Sequence, residues 1–427
     1  MTERSSAGAP RRLVVLGAGP IGLETALAGS ARGYEVRILE AAGVGANLLS
    51  WGHVRMFSPW GMNCSELGLG SLAAAGVEPY GADRLRCPTG REFTSRYLAP
   101  LARSAPLRGR IERNVRVVSV GRTGALKNEL IGDPERARLP FRILVEKNRR
   151  EEVREADVVI DATGTYGRPR WLGDGGIPAP GERDAVRAIE YGLVDFAGAT
   201  GRRFLGKRVL LIGAGHSAAT SALGLAEIVR KDPRTRVFWS FRRSTAPLYP
   251  RHPEDPLPER DRLSAAANAI ASGSVGAIEA LPGTVVRSIA SARAPGRDRR
   301  PRRGPLVVTL STLERTRRVT VDRIVANVGF APDRSIYSEL QVHECYATGG
   351  PMKLAAALLG GGAASDCLSR TEVSADLLSN PEPGFFILGS KSYGRSSAFL
   401  IRSGLDQIRT LFEGLESADR RPIKRPA

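Results

Sequence analysis

Two glycine-rich runs stand about two hundred residues apart, Gly17-Ala18-Gly19-Pro20-Ile21-Gly22 and Gly213-Ala214-Gly215-His216-Ser217-Ala218. Each follows an apolar run, Leu13 to Leu16 and Val209 to Ile212, and each opens a stretch of small residues. Strand, glycine turn and helix in that order make a cradle for a pyrophosphate. The first glycine permits the tight turn, the second lets the phosphates approach the backbone, and the third lets helix and strand pack closely. The helix N-terminus adds unbonded N–H groups and the positive end of its dipole. Gly17, Gly19, Pro20, Ile21 and Gly22 are therefore expected to hold one dinucleotide. Gly213, Gly215, His216 and Ser217 are expected to hold another, the last two through backbone N–H groups, with Ala218 taking the third glycine's place as the fingerprint permits. Two such sites in one chain suit electron transfer between a nicotinamide and a flavin.

The residue at the end of the next strand separates the two sites. Glu40 closes the run Glu35 to Leu39. A carboxylate there accepts hydrogen bonds from a ribose diol and repels a 2′-phosphate, so this site should take FAD or NAD and not NADP. After Val237 to Phe241 there is no acid; Arg242 and Arg243 follow instead. A guanidinium forks onto phosphate in bidentate fashion, so this site should prefer NADPH. The alternative, in so arginine-rich a chain, is ordinary surface charge.

These motifs need a framework. The expected class is α/β, with two Rossmann-like three-layer dinucleotide-binding domains and the NADPH domain inserted into the FAD domain. Residues 11–165 and 325–416 are assigned to the FAD domain, and 166–324 to the NADPH domain with its connectors. Residues 1–10 read as a disordered tail and 417–427 as a basic one. Strands are expected at Arg110 to Val120, Phe141 to Val145, Val153 to Ile160, Thr284 to Ala290, Pro305 to Leu310, Val319 to Ala326 and Phe385 to Leu388. Helices are expected at Arg96 to Arg103, Arg262 to Ala271 and from about Ser397 to Leu415. The prolines between Thr245 and Asp261 exclude regular structure there. The run Arg293 to Arg303 reads as a solvated hairpin loop. Apart from the two fingerprints, no internal repeat is visible.

Composition narrows the function. A chain of 427 residues with 48 glycines suits an ordinary α/β enzyme. No apolar stretch approaches the roughly 20 residues of a membrane span, and the first residues lack the apolar centre of a secretory signal. Cys64, Cys87, Cys345 and Cys367 form no CxxC pair, and the four histidines are dispersed, so neither a disulfide framework nor a metal site is expected and the default address is cytoplasmic. The formal charge of +19 is nearly all arginine, which suits anionic ligands and does not single out nucleic acid.

With both fingerprints placed, the chain resembles the flavoproteins that carry two dinucleotide-binding domains. More narrowly, it is similar to the class B flavin monooxygenases, the flavin-containing and N-hydroxylating enzymes among them. Asp161-Ala162-Thr163-Gly164 matches the ATG element where the chain leaves the FAD domain. Phe204-Leu205-Gly206-Lys207-Arg208-Val209 matches the F-x-G-K-R-V lead-in to the NADPH domain. Gly329-Phe330-Ala331-Pro332-Asp333 resembles the G-[FY]-x-P-[ND] stretch on the return, and Gly384-Phe385-Phe386-Ile387-Leu388-Gly389 the terminal element near the flavin ribityl chain. The Baeyer–Villiger fingerprint is present only in part, with Phe196, Gly198 and then Arg202 where histidine belongs, which speaks against that reaction.

The resemblance implies that Thr163, Gly164, Gly389 and Ser390 line the FAD. It implies that NADPH reduces the flavin, that O2 is captured as a C4a-(hydro)peroxyflavin, and that one oxygen atom passes to an amine or sulfide of a small molecule. No membrane or nucleic-acid partner follows from it. The aromatic stretch Trp51 to Asn63 becomes the candidate wall of the flavin ring. Arg55 could pair with a phosphate or a substrate carboxylate, or form a structural ion pair. Asn63 could donate a hydrogen bond near the flavin oxygen adduct, or hold a turn. Ser396 or Ser397 could cap the last helix, whose start would face the flavin pyrimidine. Two other readings stay open: an NADPH-dependent flavin reductase or oxidase without oxygen insertion, and a non-catalytic dinucleotide-binding protein.

Overall fold

A computed structural model describes residues 10–244, 246–251, 255–273, 276, 278–292, 304–360 and 373–419. The expected tails over 1–9 and 420–427, and the arginine loop 293–303, lie outside the described residues. The chain divides into two compact units, 1–168 with 331–427, and 169–330.

The first strands are β1 (Arg12–Leu16), β2 (Glu35–Glu40), β3 (Ile111–Arg113), β4 (Val115–Arg122), β5 (Phe141–Lys147), β6 (Arg150–Ala156) and β7 (Val158–Asp161). Within 169–330 follow β8 (Ile189–Glu190), β9 (Arg208–Ile212), β10 (Arg236–Phe241), β11 (Ile278–Pro282), β12 (Val285–Ser291), β13 (Leu306–Ser311), β14 (Thr316–Val321) and β15 (Arg323–Ala326). The chain then returns to the first unit with β16 (Phe385–Ile387).

In the first unit a parallel sheet runs β16-β7-β1-β2-β3, and a separate antiparallel sheet runs β4-β5-β6. Alternation along β1 shows why there are three layers. Leu13 and Val15 face a core built with the helices Pro20–Ala31 and Ile401–Asp419. Val14 and Leu16 face a core shared with Val120, Phe141, Ile143 and Val145 of the antiparallel sheet. A strand buried on both faces is apolar throughout, as parallel-sheet strands are. A buried ion cluster joins β4 to the chain before β16, with Arg122 and Arg136 both donating to Glu382.

The second unit repeats this plan. Its parallel sheet runs β8-β15-β9-β10-β11 beside an antiparallel β12-β13-β14. Val209 and Leu211 of β9 face the helix His216–Lys231, while Leu210 and Ile212 face the β12–β14 layer. The two three-layer units expected from the sequence are thus observed, although beyond the fingerprints their sequences show no repeat. The same fold is met by different side chains because the parallel sheets ask only for apolar residues, not for particular ones.

Three expected strands are each two. Arg110 to Val120 breaks at Asn114, whose φ of 57° turns the chain out of one sheet and into the other. Val153 to Ile160 breaks at Asp157, and Val319 to Ala326 breaks at Asp322. Continuous apolar alternation hid all three changes of sheet. The helix expected at Arg96 begins earlier, at Gly90, where Thr89 and Glu92 form a capping box. The helix expected from Arg262 begins at Pro258, because proline is favoured in the first helical turn. The last helix begins at Ile401, not Ser397.

Candidate functional site

In the first unit the expected cradle residues converge. Gly17 has φ +96°, and a Cβ on it would lie 3.0 Å from the Ala162 carbonyl oxygen and 3.2 Å from the Thr163 Cα. A Cβ on Gly22 would meet the Gly17 carbonyl oxygen at 1.9 Å, so the third glycine is obligatory for the helix to sit against the turn. Gly19 faces open space, with nothing within 4 Å of where a Cβ would project. That is the condition for a phosphate to reach the backbone. Gly389, at φ +73°, packs on Ile21, and Gly164, at φ +70°, faces Ser390 Oγ. The turn, the 162–164 loop and the 389–390 turn therefore form one seam at the carboxyl ends of β1, β7 and β16, where ligands of open α/β sheets bind.

Glu40 is half-buried at the end of β2. Its carboxylate accepts hydrogen bonds from the Ala18 N–H and the Ala42 N–H, both at 2.7 Å. Each oxygen keeps a lone pair for a ribose hydroxyl. Beneath the turn, Glu24 is buried in the helix and accepts hydrogen bonds from Tyr97 and from Ser65 Oγ. Burial pushes its pKa up, and these hydrogen bonds only partly oppose that.

The second unit's turn has the same form. Gly213 has φ +133°, and a Cβ there would lie 2.2 Å from the Asn327 carbonyl oxygen. Gly215 faces open space. The chain after β10 folds back over this turn. Tyr249 donates from its hydroxyl to the Gly215 carbonyl at 3.0 Å, and its ring lies 5.9 Å from that of His216. Asn268 holds Tyr249 by both its backbone N–H and its carbonyl. Enclosure by surrounding atoms, then the charge of Arg260, lowers the His216 pKa, with Asp255 opposing. The ring still reaches solvent. Arg243 donates to the Leu248 carbonyl at 2.5 Å. Arg242 is exposed beside it.

Other expected residues lie differently. Asn63 is buried, and its amide donates to the Ser58 and Pro59 carbonyls while its oxygen accepts from Ser58 Oγ. Both amide hydrogens are spent inside the turn it closes, so the donor role expected for Asn63 is withdrawn. Arg55 is exposed and donates to the Cys87 carbonyl at 2.6 Å, which leaves most of its guanidinium available. Trp60 is fully buried among Tyr80 and Phe93, in the core. Trp51 instead lies against Tyr166, with ring centroids 6.2 Å apart, and its indole N–H is buried without a partner. Ser397 is exposed four residues ahead of the last helix and does not cap it, so its expected place at the helix start is corrected.

The sequence reading passed over Lys391 and Gln407. Lys391 is buried, with Nζ 2.5 Å from Asp161 Oδ2 and 3.1 Å from Thr163 Oγ1. Gln407 is buried and accepts from the Gly389 N–H at 2.9 Å. The available signal was a lysine directly after Gly389-Ser390 in a chain that otherwise favours arginine. Among the described residues no cluster of three or more His, Cys, Asp or Glu could hold a metal ion, and no helix is long and apolar enough to cross a membrane.

No protein-family model and no curated protein matches the chain. Solved structures share its fold along nearly its whole length. One is a bacillithiol disulfide reductase from Bacillus cereus, at 18% identity over 96% of this chain and 99% of that one, with TM-score 0.66. Another is the FAD-bound cadaverine monooxygenase of desferrioxamine biosynthesis from Erwinia amylovora, at 13% over 98% and 97%, with TM-score 0.62. A third is the ornithine N-hydroxylase of Kutzneria sp. 744 with reduced FAD, NADP+ and L-ornithine, at 15% over 96% and 100%, with TM-score 0.59. The fold implied by the sequence motifs is the fold observed, and it houses both disulfide reductases and N-hydroxylating monooxygenases.

Proposed function

We propose that the protein is an FAD- and NADPH-dependent oxidoreductase, and specifically a monooxygenase acting on an amine or sulfide of a small molecule. The observation that carries the FAD reading is the seam of Gly17, Ala162, Gly164, Ser390 and Gly389 around an open Gly19, with Glu40 beside it. Residues 11–165 and 325–416 would hold FAD, and 166–324 would hold NADPH.

FAD, when bound, supplies two-electron redox chemistry and reaction with O2. The chain's own groups bind and orient. In the first unit, helix N–H groups receive the pyrophosphate, and Glu40 accepts from the ribose hydroxyls. Burial shifts the Glu24 pKa upward, with its hydrogen bonds from Tyr97 and Ser65 opposing. In the second unit, the open face at Gly215 takes the NADPH pyrophosphate and Arg242 takes the 2′-phosphate. Arg243 steadies the loop through Leu248. Arg55 remains the candidate for a substrate anion. The balanced reaction converts amine, O2, NADPH and a proton to hydroxylamine, NADP+ and water.

Cysteine placement supports oxygen transfer over disulfide reduction. Cys64 is buried beside Glu24, and burial followed by that charge drives its thiol pKa far up. Cys87 donates to the Phe57 carbonyl. Cys345 is buried and its thiol pKa is lowered by hydrogen bonds from Thr348, but neither Cys64 nor Cys87 is bonded to it. Disulfide reduction through a cysteine pair needs a thiolate beside a second thiol. Cys367 lies outside the described residues. The test is stopped-flow reduction by NADPH followed by mixing with O2 and candidate amines and sulfides. Substrate-dependent NADPH use with an oxygenated product supports the reading. Prompt hydrogen peroxide release with every substrate would leave a reductase or oxidase, and a protein that stays colourless with added flavin would leave neither.

A further inference from the structure

Two buried side-chain pairs, Asp161 with Lys391 and Gln407 with Ser392, stand behind the proposed flavin seam. Asp161 ends β7, and its Oδ1 accepts from the Thr163 N–H at 3.1 Å and the Thr163 hydroxyl at 2.7 Å. Its Oδ2 accepts from Lys391 Nζ, which also donates to Thr163 Oγ1 and lies 5.1 Å from the centre of the Tyr337 ring. Gln407, from the helix Ile401–Asp419, accepts from the Gly389 N–H and donates to Ser392 Oγ at 2.9 Å. Ser392 Oγ in turn donates to the Gly389 carbonyl at 2.8 Å. The short turn Gly389–Ser392 is thus held from two sides, by Lys391 on the 161–163 segment and by Gln407 on the last helix. The half-buried Ser390 is the one residue of the turn directed at Gly164.

We infer that Lys391 is a positioning residue for FAD: its bridge to Asp161 and Thr163 fixes the 389–392 turn against the 162–164 loop, so that both loops present one rigid surface to the flavin. This rests on the FAD assignment proposed above. A buried ion pair is a poor device for stability alone, since desolvation of both charges offsets most of their attraction. Its use is geometric. A bond between two charged atoms in low dielectric tolerates little displacement, and here the two ends stand on the two loops that must agree. Sites whose supporting groups are loose lose function through misplacement of a fraction of an ångström to an ångström.

The test uses the full chain and three variants, Lys391→Met, the double Lys391→Met with Asp161→Asn, and Lys391→Arg. Two properties are measured: thermal unfolding of the flavin-free protein, and the FAD dissociation constant from quenching of flavin fluorescence, with the visible flavin spectrum recorded alongside. Lys391→Met should lose stability, because Asp161 is left buried and unpaired. The double variant removes that charge and should recover stability, yet bind FAD about tenfold or more weakly, with a shifted flavin spectrum. Lys391→Arg keeps the charge on a differently shaped head and should show the same loss of FAD affinity. Wild-type affinity and spectrum in the double variant, or in Lys391→Arg, would reduce Lys391 to a structural ion pair and overturn the inference while the FAD reading stands. Wild-type protein that binds no FAD would overturn both.

Discussion

The two glycine turns share a plan but differ in backbone detail, φ +96° at Gly17 against +133° at Gly213, and in the charge beside them. In each, the first glycine donates to the carbonyl of a residue near the end of the neighbouring strand, Gly17 to Leu39 at 2.8 Å and Gly213 to Ser240 at 3.0 Å. In each, the middle glycine faces open space. Even the clasp at the far end of the sheet is repeated. Arg12 and Arg208, which open β1 and β9, reach with backbone N–H and guanidinium to Asp157 and Asp322, the residues that redirect the chain from antiparallel to parallel sheet. What differs is the group at the end of the second strand, a carboxylate on the turn's own N–H in one unit and an exposed arginine, just past the strand, in the other. In the proposed assignment the turn takes the pyrophosphate, and one side chain at the end of β2 or just after β10 selects the nucleotide.

The sharpest break in that comparison lies at the third glycine position. Gly22→Val should cost about 3 kcal/mol or more, because its Cβ has no room against Gly17. Ala218→Gly in the other unit should cost under about 1 kcal/mol. Urea unfolding measures both, and equal costs would contradict the tighter packing at Gly22.

Next comes the arginine pair. Arg242→Ala should raise KM for NADPH about tenfold more than for NADH, since a charge-assisted fork is lost. Arg243→Ala should change the two alike and by less, because its guanidinium is already on Leu248. Steady-state kinetics with both coenzymes decide it, and a larger NADPH-specific effect from Arg243 would reverse the assignment.

A subtler contrast sits one turn into each helix, where Glu24 in the first unit stands opposite Thr220 in the second. The folded pKa of Glu24 lies above its unfolded value, so its contribution is fully present below the ordinary carboxylate range and is lost as pH rises through the raised value. Glu24→Gln should therefore stabilise the protein at pH 8, with the gain shrinking toward pH 4. Melting temperatures across that range test it, and a pH-independent effect would contradict it. The smallest effect belongs to the clasps. Arg12→Ala and Arg208→Ala should each cost under about 1 kcal/mol, and about equally, since both pairs are partly solvated. Unfolding midpoints that differ clearly between the two would mean the clasps are not equivalent.

Much of the site was legible because its requirements are local. A turn at positive φ, a helix start and a strand-end carboxylate each leave a mark within a few neighbouring residues, as Gly17 to Gly22 and Glu40 do. The errors fell where sequence neighbours say little. Asn63 has the composition of a donor, but its amide is turned back on Ser58 and Pro59 by the chain's own path. The breaks at Asn114, Asp157 and Asp322 interrupt no apolar pattern, because the strands on both sides are buried by the same layers.

The sequence alone determined the two glycine turns, their order and the side chains beside them, Glu40 in one and Arg242 in the other, since each depends on short-range backbone geometry and one nearby residue. Only the tertiary structure decided that Lys391 meets Asp161 across 230 residues and that Gln407 holds Gly389. Those facts come from packing between distant segments. Burial there is met by any apolar residue, and a buried charge is recognisable only once its partner is beside it.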